Sequence, residues 1–228
     1  MELNPGQIYL ADQRGLIENA SVQKHCTFNF ERYQNEHREP SSALFLFNDE
    51  FIAGGKLNFF LAKENSIQIF LPITGGLDIL AKEEEYAVET GQIQVFMVEK
   101  GEVLEISNPY PKDTVNYLQI GFKTEAFFFK QKEPFNFNFD EKPNTLIDVV
   151  ASYKLPFFLS TGRFSGRTEI NYSVKDNTNR IFAFVIDGAF EIEGRLLHAR
   201  DGLALWECNE IELEALSNNA IVVVIEHP

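Results

Sequence analysis

Hydrophobic and polar positions alternate with a period of two along most of the chain, in short runs separated by turn residues. LNFFL, SIQIFLPI, LDIL, QIQVFMV, VLEIS and YLQIGF fall between residues 57 and 122. A second series follows, FFLSTGRF, TEINYSV, RIFAFVI, AFEIE, LALW, IELEAL and AIVVVIE. Strands this short at such spacing predict an all-β sandwich or barrel. A helical period is weak throughout, and the only candidates are residues 27–37 (TFNFERYQNEH) and 124–131 (TEAFFFKQ).

The two series are similar to each other. FLPITGGLDILAKEEEYAVETGQIQVFMVEKGEVLEISN aligns with FAFVIDGAFEIEGRLLHARDGLALWECNEIELEALSNN. In each, a strand ends at a glycine (Gly76, Gly188), a hairpin leads to a second (Gly91, Gly202), and a strand pair runs on to Ser-Asn. Glycine suits such corners because it takes φ > 0 without steric cost. An internal duplication predicts two related barrels, residues 1–135 and 136–228. The segment 130–146, rich in charge, Pro and Asn, is the expected connection, with Phe135, Phe137 and Phe139 docked on one barrel.

Composition narrows the function. The 228 residues include 22 Phe, and the net charge is −14. Such a charge repels nucleic-acid phosphates and anionic membranes, so neither is an expected electrostatic partner. No apolar run approaches the roughly 20 residues of a membrane span, and the N-terminus shows no basic-then-apolar leader. With two distant cysteines, Cys26 and Cys208, a cytoplasmic protein is the expectation. No nucleophile–His–Asp set is visible, and the Gly-Gly pairs at 54–55 and 75–76 lack the context of a phosphate loop. KEEEY (82–86) is expected as a solvated hairpin tip, and Trp206 and Cys208 as core.

ADQRGLIENASVQKHCTFNFERY, NDEFIAGG, YLQIGF, NTLIDVVAS and the block from EGRLLHARDG to the C-terminus carry a resemblance, in order, to pirins and pirin-like bicupins. The resemblance implies two tandem cupin barrels (double-stranded β-helices, jelly-roll-like). In metal-bearing relatives it implies iron in the first barrel, held by three His and one Glu. Two of those His lie six and eight positions after a glycine, and the third His and the Glu lie two apart on a later strand. A spacing of two sets both members of each pair on one face of a strand.

Counted from Gly55 and Gly101, those positions fall on Leu61, Lys63, Leu104 and Ile106. None is a ligand of the implied type, so no cofactor is expected. Leu61, Lys63, Leu104 and Ile106 are expected to line a first-barrel pocket, with Lys63 as the candidate ligand-binding residue. His25, Cys26, Glu64, Gln68 and Glu105 are the nearest substitutes by chain position; His37, His198 and His227 show no site spacing. The resulting expectation is a non-catalytic binding or regulatory bicupin whose partner is a protein or a small organic ligand. Two alternatives remain: a quercetinase-type dioxygenase with non-standard ligands, and a metal-independent small-ligand-binding cupin using Lys63.

Overall fold

A computed structural model describes residues 4–40, 42–125, 132–152 and 154–228. Strand β1 (Gly6–Tyr9) is followed by a 3₁₀ turn at Ala11–Gln13. Next come β2 (Gly15–Glu18), β3 (Val22–Cys26), β4 (Leu44–Ile52), β5 (Leu57–Leu61), β6 (Ser66–Thr74) and β7 (Leu77–Ala81). The first series closes with β8 (Glu84–Val88), β9 (Gln92–Val98), β10 (Val103–Ser107), β11 (Val115–Lys123) and β12 (Phe135–Asn136). The second comprises β13 (Ile147–Val150), β14 (Phe158–Phe164), β15 (Glu169–Ser173), β16 (Arg180–Asp187) and β17 (Ala189–Ile192). It ends with β18 (Arg195–His198), β19 (Gly202–Leu205), β20 (Glu210–Ala215) and β21 (Ala220–His227).

Each series folds into two sheets with a core between them. In the first, a seven-stranded sheet (β12-β9-β6-β11-β4-β3-β2) faces a four-stranded one (β5-β10-β7-β8). In the second, a six-stranded sheet (β1-β19-β16-β21-β14-β13) accompanies β15-β20-β17-β18. Strand for strand, β9-β6-β11-β4-β3 corresponds to β19-β16-β21-β14-β13, and β5-β10-β7-β8 to β15-β20-β17-β18. The internal repeat is therefore one of topology as well as of sequence.

The domain limits differ from a simple cut of the chain. Arg14–Asn136 forms one compact unit; the residues up to Gln13 and Phe137–Pro228 form the other. The expected 1–135 boundary misplaced the N-terminal strand, because β1 extends the second six-stranded sheet by pairing antiparallel with β19, Gly6 opposite Leu205. The weak helical candidate at 27–37 is not a helix. Those residues form turns around a Phe30–Tyr33 bridge, with Glu31 at a φ of 46°. Of the other helical candidate, residues 126–131 lie outside the described residues. Of the corner glycines, Gly91 and Gly188 take positive φ, but in the first hairpin that role falls to Gly75 (φ 74°). Gly202 is required for space instead: a Cβ there would meet the Phe182 ring at 2.9 Å.

The two interiors differ in chemistry. On β21 the inward residues are Ala220, Val222 and Val224, within a second-barrel core of hydrocarbon side chains with Tyr172 and Cys208. On its counterpart β11 the inward positions are Val115, Tyr117 and Gln119. At the end of β21, Glu226 is fully buried and accepts hydrogen bonds from the Tyr172 hydroxyl (2.7 Å), Asn179 Nδ2 (2.8 Å) and the Lys175 and Asp176 amides. This clamps the loop before β16. Burial beside it pushes the His227 imidazole down to about 4.

His227 is thus neutral when folded but free to protonate when unfolded. Folding stability is predicted to fall as pH drops from about 6.5 toward 4, by about 2–3 kcal/mol, and to stop responding to this group below that. Urea titrations of the wild type and His227→Phe across that range check it: the variant should lose this part of the pH slope.

Candidate functional site

The first barrel contains a belt of buried polar side chains. Alternation places Leu46, Asn48, Glu50 and Ile52 of β4 on the core face, and pairing aligns them with neighbouring strands. Lys24, Glu50 and Tyr117 sit in one row across β3, β4 and β11. Cys26, Asn48, Gln119, Phe70 and Gln94 form the next row across β3, β4, β11, β6 and β9. All eight are at most 6% exposed, and Gln68, between Gly121 and Phe96 in another row, is fully buried as well.

Glu50 is the centre of this belt. Its Oε2 accepts from the Tyr117 hydroxyl at 2.7 Å and Asn58 Nδ2 at 2.8 Å; its Oε1 accepts from Asn48 Nδ2 at 2.9 Å. Asn58 Nδ2 also reaches the Tyr117 oxygen at 3.1 Å. Burial raises the Glu50 carboxyl above its ordinary value, while Lys24 and the Tyr117 and Asn48 donors pull it back. Burial, with the Glu50 charge, raises the Tyr117 phenol as well. Lys24 Nζ lies 3.1 Å from Glu31 Oε1 and over the Phe30 ring, so the turn at residues 30–33 provides its counter-charge. A second chain of bonds runs from Gln119 Nε2 to Gln68 Oε1 (2.9 Å) and from Gln68 Nε2 to Ser66 Oγ (3.0 Å).

This arrangement can hold a proton between a carboxylate and a phenol, but it contains no activated nucleophile. Burial first, then Glu50, pushes the Cys26 thiol up to about 12. On the outer face of the same sheet, Asp49 accepts from Arg14 at 3.1 Å and Asn116 at 2.7 Å, tying β4 to β11 and to the start of β2.

The expected site residues divide. Leu104 and Ile106 are buried and face inward on β10. Leu61 and Lys63 do not line the interior: Leu61 is 57% exposed and Lys63 is also exposed. The inward residues of that segment are Asn58, Phe60 and Ala62, with Asn58 opposite Ile106 and Phe60 opposite Leu104. A one-residue slip explains the error, since it exchanges the faces of a strand. Lys63 instead borders a surface hollow of 480 Å³ with Glu64, Asn65, Lys100, Lys123, Thr124 and Glu125. There Glu64 pairs with Lys123 at 3.0 Å.

Among the substitutes, Gln68 points inward within its amide chain and Cys26 is inward but protonated. His25 packs against Phe51 on the opposite face, and Glu105 lies on the outer face of β10. Sequence reasoning missed Lys24, Asn48, Glu50, Asn58, Tyr117 and Gln119. Their signal was polar residues two apart on one face of a strand, Asn48 with Glu50 and Tyr117 with Gln119.

Do these side chains suit the iron that the resemblance implies? Shifted by that one residue, the implied positions become Phe60, Ala62, Leu104 and Ile106, all inward and all hydrocarbon, with Asn58 beside them as the one amide. Among the described residues no group of three or more His, Cys, Asp or Glu is placed to hold a metal ion. The donor set does not fit.

The comparisons agree with the architecture. Residues 157–226 match the model of the quercetinase C-terminal cupin domain. The chain is similar to the crystal structure of the bacterial pirin YhhW in complex with nickel(II) from Escherichia coli. That likeness has a TM-score of 0.80 and 19% identity, over 98% of this chain and 99% of that one. It is also similar to YhaK from Escherichia coli (TM-score 0.72, 14% identity, 90% and 93% of the two chains). A third likeness is to quercetin 2,3-dioxygenase from Acinetobacter baumannii (TM-score 0.72, 11% identity, 97% and 85%). No curated protein sequence matches. The fold is that of a pirin-like bicupin.

Glu50→Ala would remove the acceptor shared by three buried donors and is predicted to cost about 3–5 kcal/mol in a denaturant titration, with Glu50→Gln costing less. Cys26, fully buried, should react with a thiol reagent only after denaturation.

Proposed function

We propose that this chain is a metal-free pirin-like bicupin that works by binding rather than by dioxygen chemistry. The observation that carries this is the inward set Phe60, Ala62, Leu104 and Ile106, on the strand pair where the resemblance implies three His and one Glu. Dioxygen activation at iron needs imidazole or carboxylate ligands and open coordination positions. Hydrocarbon side chains provide neither.

The interior is instead closed by its own hydrogen bonds around Glu50. A folded chain with such a core offers surfaces to a partner, protein or small molecule, without turning over a substrate. No helix among the described residues is long and apolar enough to cross a membrane.

The quercetinase-type reading draws on the C-terminal domain match and on the Acinetobacter structure. Both bear on fold, and neither supplies ligands at these four positions. The reading based on Lys63 is abandoned, because an exposed lysine at a barrel rim has neither the burial nor the enclosure it requires.

Calorimetric titration with Fe(II) and Ni(II) tests the proposal. The wild type should show no stoichiometric binding, whereas the variant Phe60→His/Ala62→His/Leu104→His/Ile106→Glu should gain it. Tight, stoichiometric binding by the wild type would overturn the proposal.

A further inference from the structure

The outer face of the sheet β5-β10-β7-β8 is apolar where a protein surface is normally polar. Leu57, Phe59 and Leu61 of β5, Val103 of β10 and Leu80 of β7 are 41%, 52%, 57%, 49% and 38% exposed. They are five of the nine large hydrophobic residues exposed among the described residues. They are also contiguous: Leu61 lies opposite Val103, and Glu105 separates Phe59 from Leu80. Such a stripe, on the order of a few hundred Å², marks an interaction surface more often than an accident of composition.

The same strand has a free edge. β5 ends its sheet and pairs only with β10 among the described residues. The hydrogen bonds from the Ala62 amide to Glu102 O (3.0 Å) and from the Asn108 amide to Lys56 O (2.9 Å) fix which residues face β10. In an antiparallel ladder the bonded pairs alternate, so the even-numbered residues face β10. Leu57, Phe59 and Leu61 therefore turn their N–H and C=O groups to the open edge. The residues with exposed apolar side chains are the ones with available backbone groups.

Charge narrows the occupant. Lys56 and Lys63 bracket the apolar triplet; both are exposed, and neither forms an ion pair among the described residues. On a chain of net charge −14 these are two cations without an ion-pair partner among the described residues, one beyond each end of the edge strand. A second copy suits the edge poorly. Antiparallel pairing about Phe59 would set each copy's Lys56 within one register position of the other's Lys63, between two strongly acidic chains.

We propose that the β5 edge accepts an extended segment of another protein, apolar at alternate positions and acidic at both ends, as an added strand. Backbone bonds to Leu57, Phe59 and Leu61 hold it, its apolar side chains continue the stripe, and its acidic ends meet Lys56 and Lys63. This names a partner class for the binding reading above, and its test does not depend on the metal content of the barrel.

The test uses two synthetic peptides, EDVTVTVDE and KKVTVTVKK, with the full-length protein. Amide hydrogen exchange reads the edge, and fluorescence anisotropy reads affinity. The acidic peptide should bind and protect the Leu57, Phe59 and Leu61 amides, and the lysine-flanked one should bind about fivefold or more weakly. Lys56→Glu/Lys63→Glu, a surface change that spares the core, should reverse that preference. Phe59→Pro, which removes one edge-facing N–H, should abolish binding of both. Three results would overturn the proposal: no protection of these amides, equal binding of the two peptides, or a dimer in light scattering that Phe59→Pro dissociates.

Discussion

A carboxylate buried between two sheets must be paired or neutralised, because an unsolvated charge is far more costly than any single contact is favourable. Glu50 meets this constraint with three donors from three places: Asn48 on its own strand, Asn58 on β5 and Tyr117 on β11. Asn58 lies in the four-stranded sheet and the others in the seven-stranded one, so the bonds join the two walls of the first barrel. Lys24 adds a cation in the same row and draws Glu31 and Phe30 over it. The conformation of the turn at 30–33, including the positive φ of Glu31, is consistent with that demand.

The second barrel shows that the fold does not itself require such a centre. Its corresponding strands fill the interior with Val222, Val224, Phe190 and Leu203, and it keeps its buried carboxylate, Glu226, at the end of β21 to hold a loop. The two halves share a topology and divide the chemistry. One is a hydrocarbon core; the other has a hydrogen-bonded belt across β4, β6 and β11 that reaches β5 through Asn58.

Much of the architecture was legible from period-two alternation, because short strands with glycine corners leave few other folds open. The duplication was legible for the same reason, down to the positive φ of Gly91 and Gly188. The N-terminal strand was not, since GQIY carries no mark of which barrel it will join. The register of β5 was not either. LNFFLA is apolar at nearly every position, so alternation could not tell its faces apart, and counting from Gly55 landed one residue off. The Glu50 network escaped because its members are spread over β4, β5 and β11, brought together only by pairing. Its trace in the sequence was two strands with polar residues two apart.

The central claim is that hydrogen bonds around Glu50, and no metal, organise the first barrel. Elemental analysis of protein purified without a metal-affinity tag, before and after incubation with Fe(II), tests it most directly. The account predicts less than about a tenth of an equivalent of any transition metal in both samples. About one equivalent, retained through gel filtration, would contradict it.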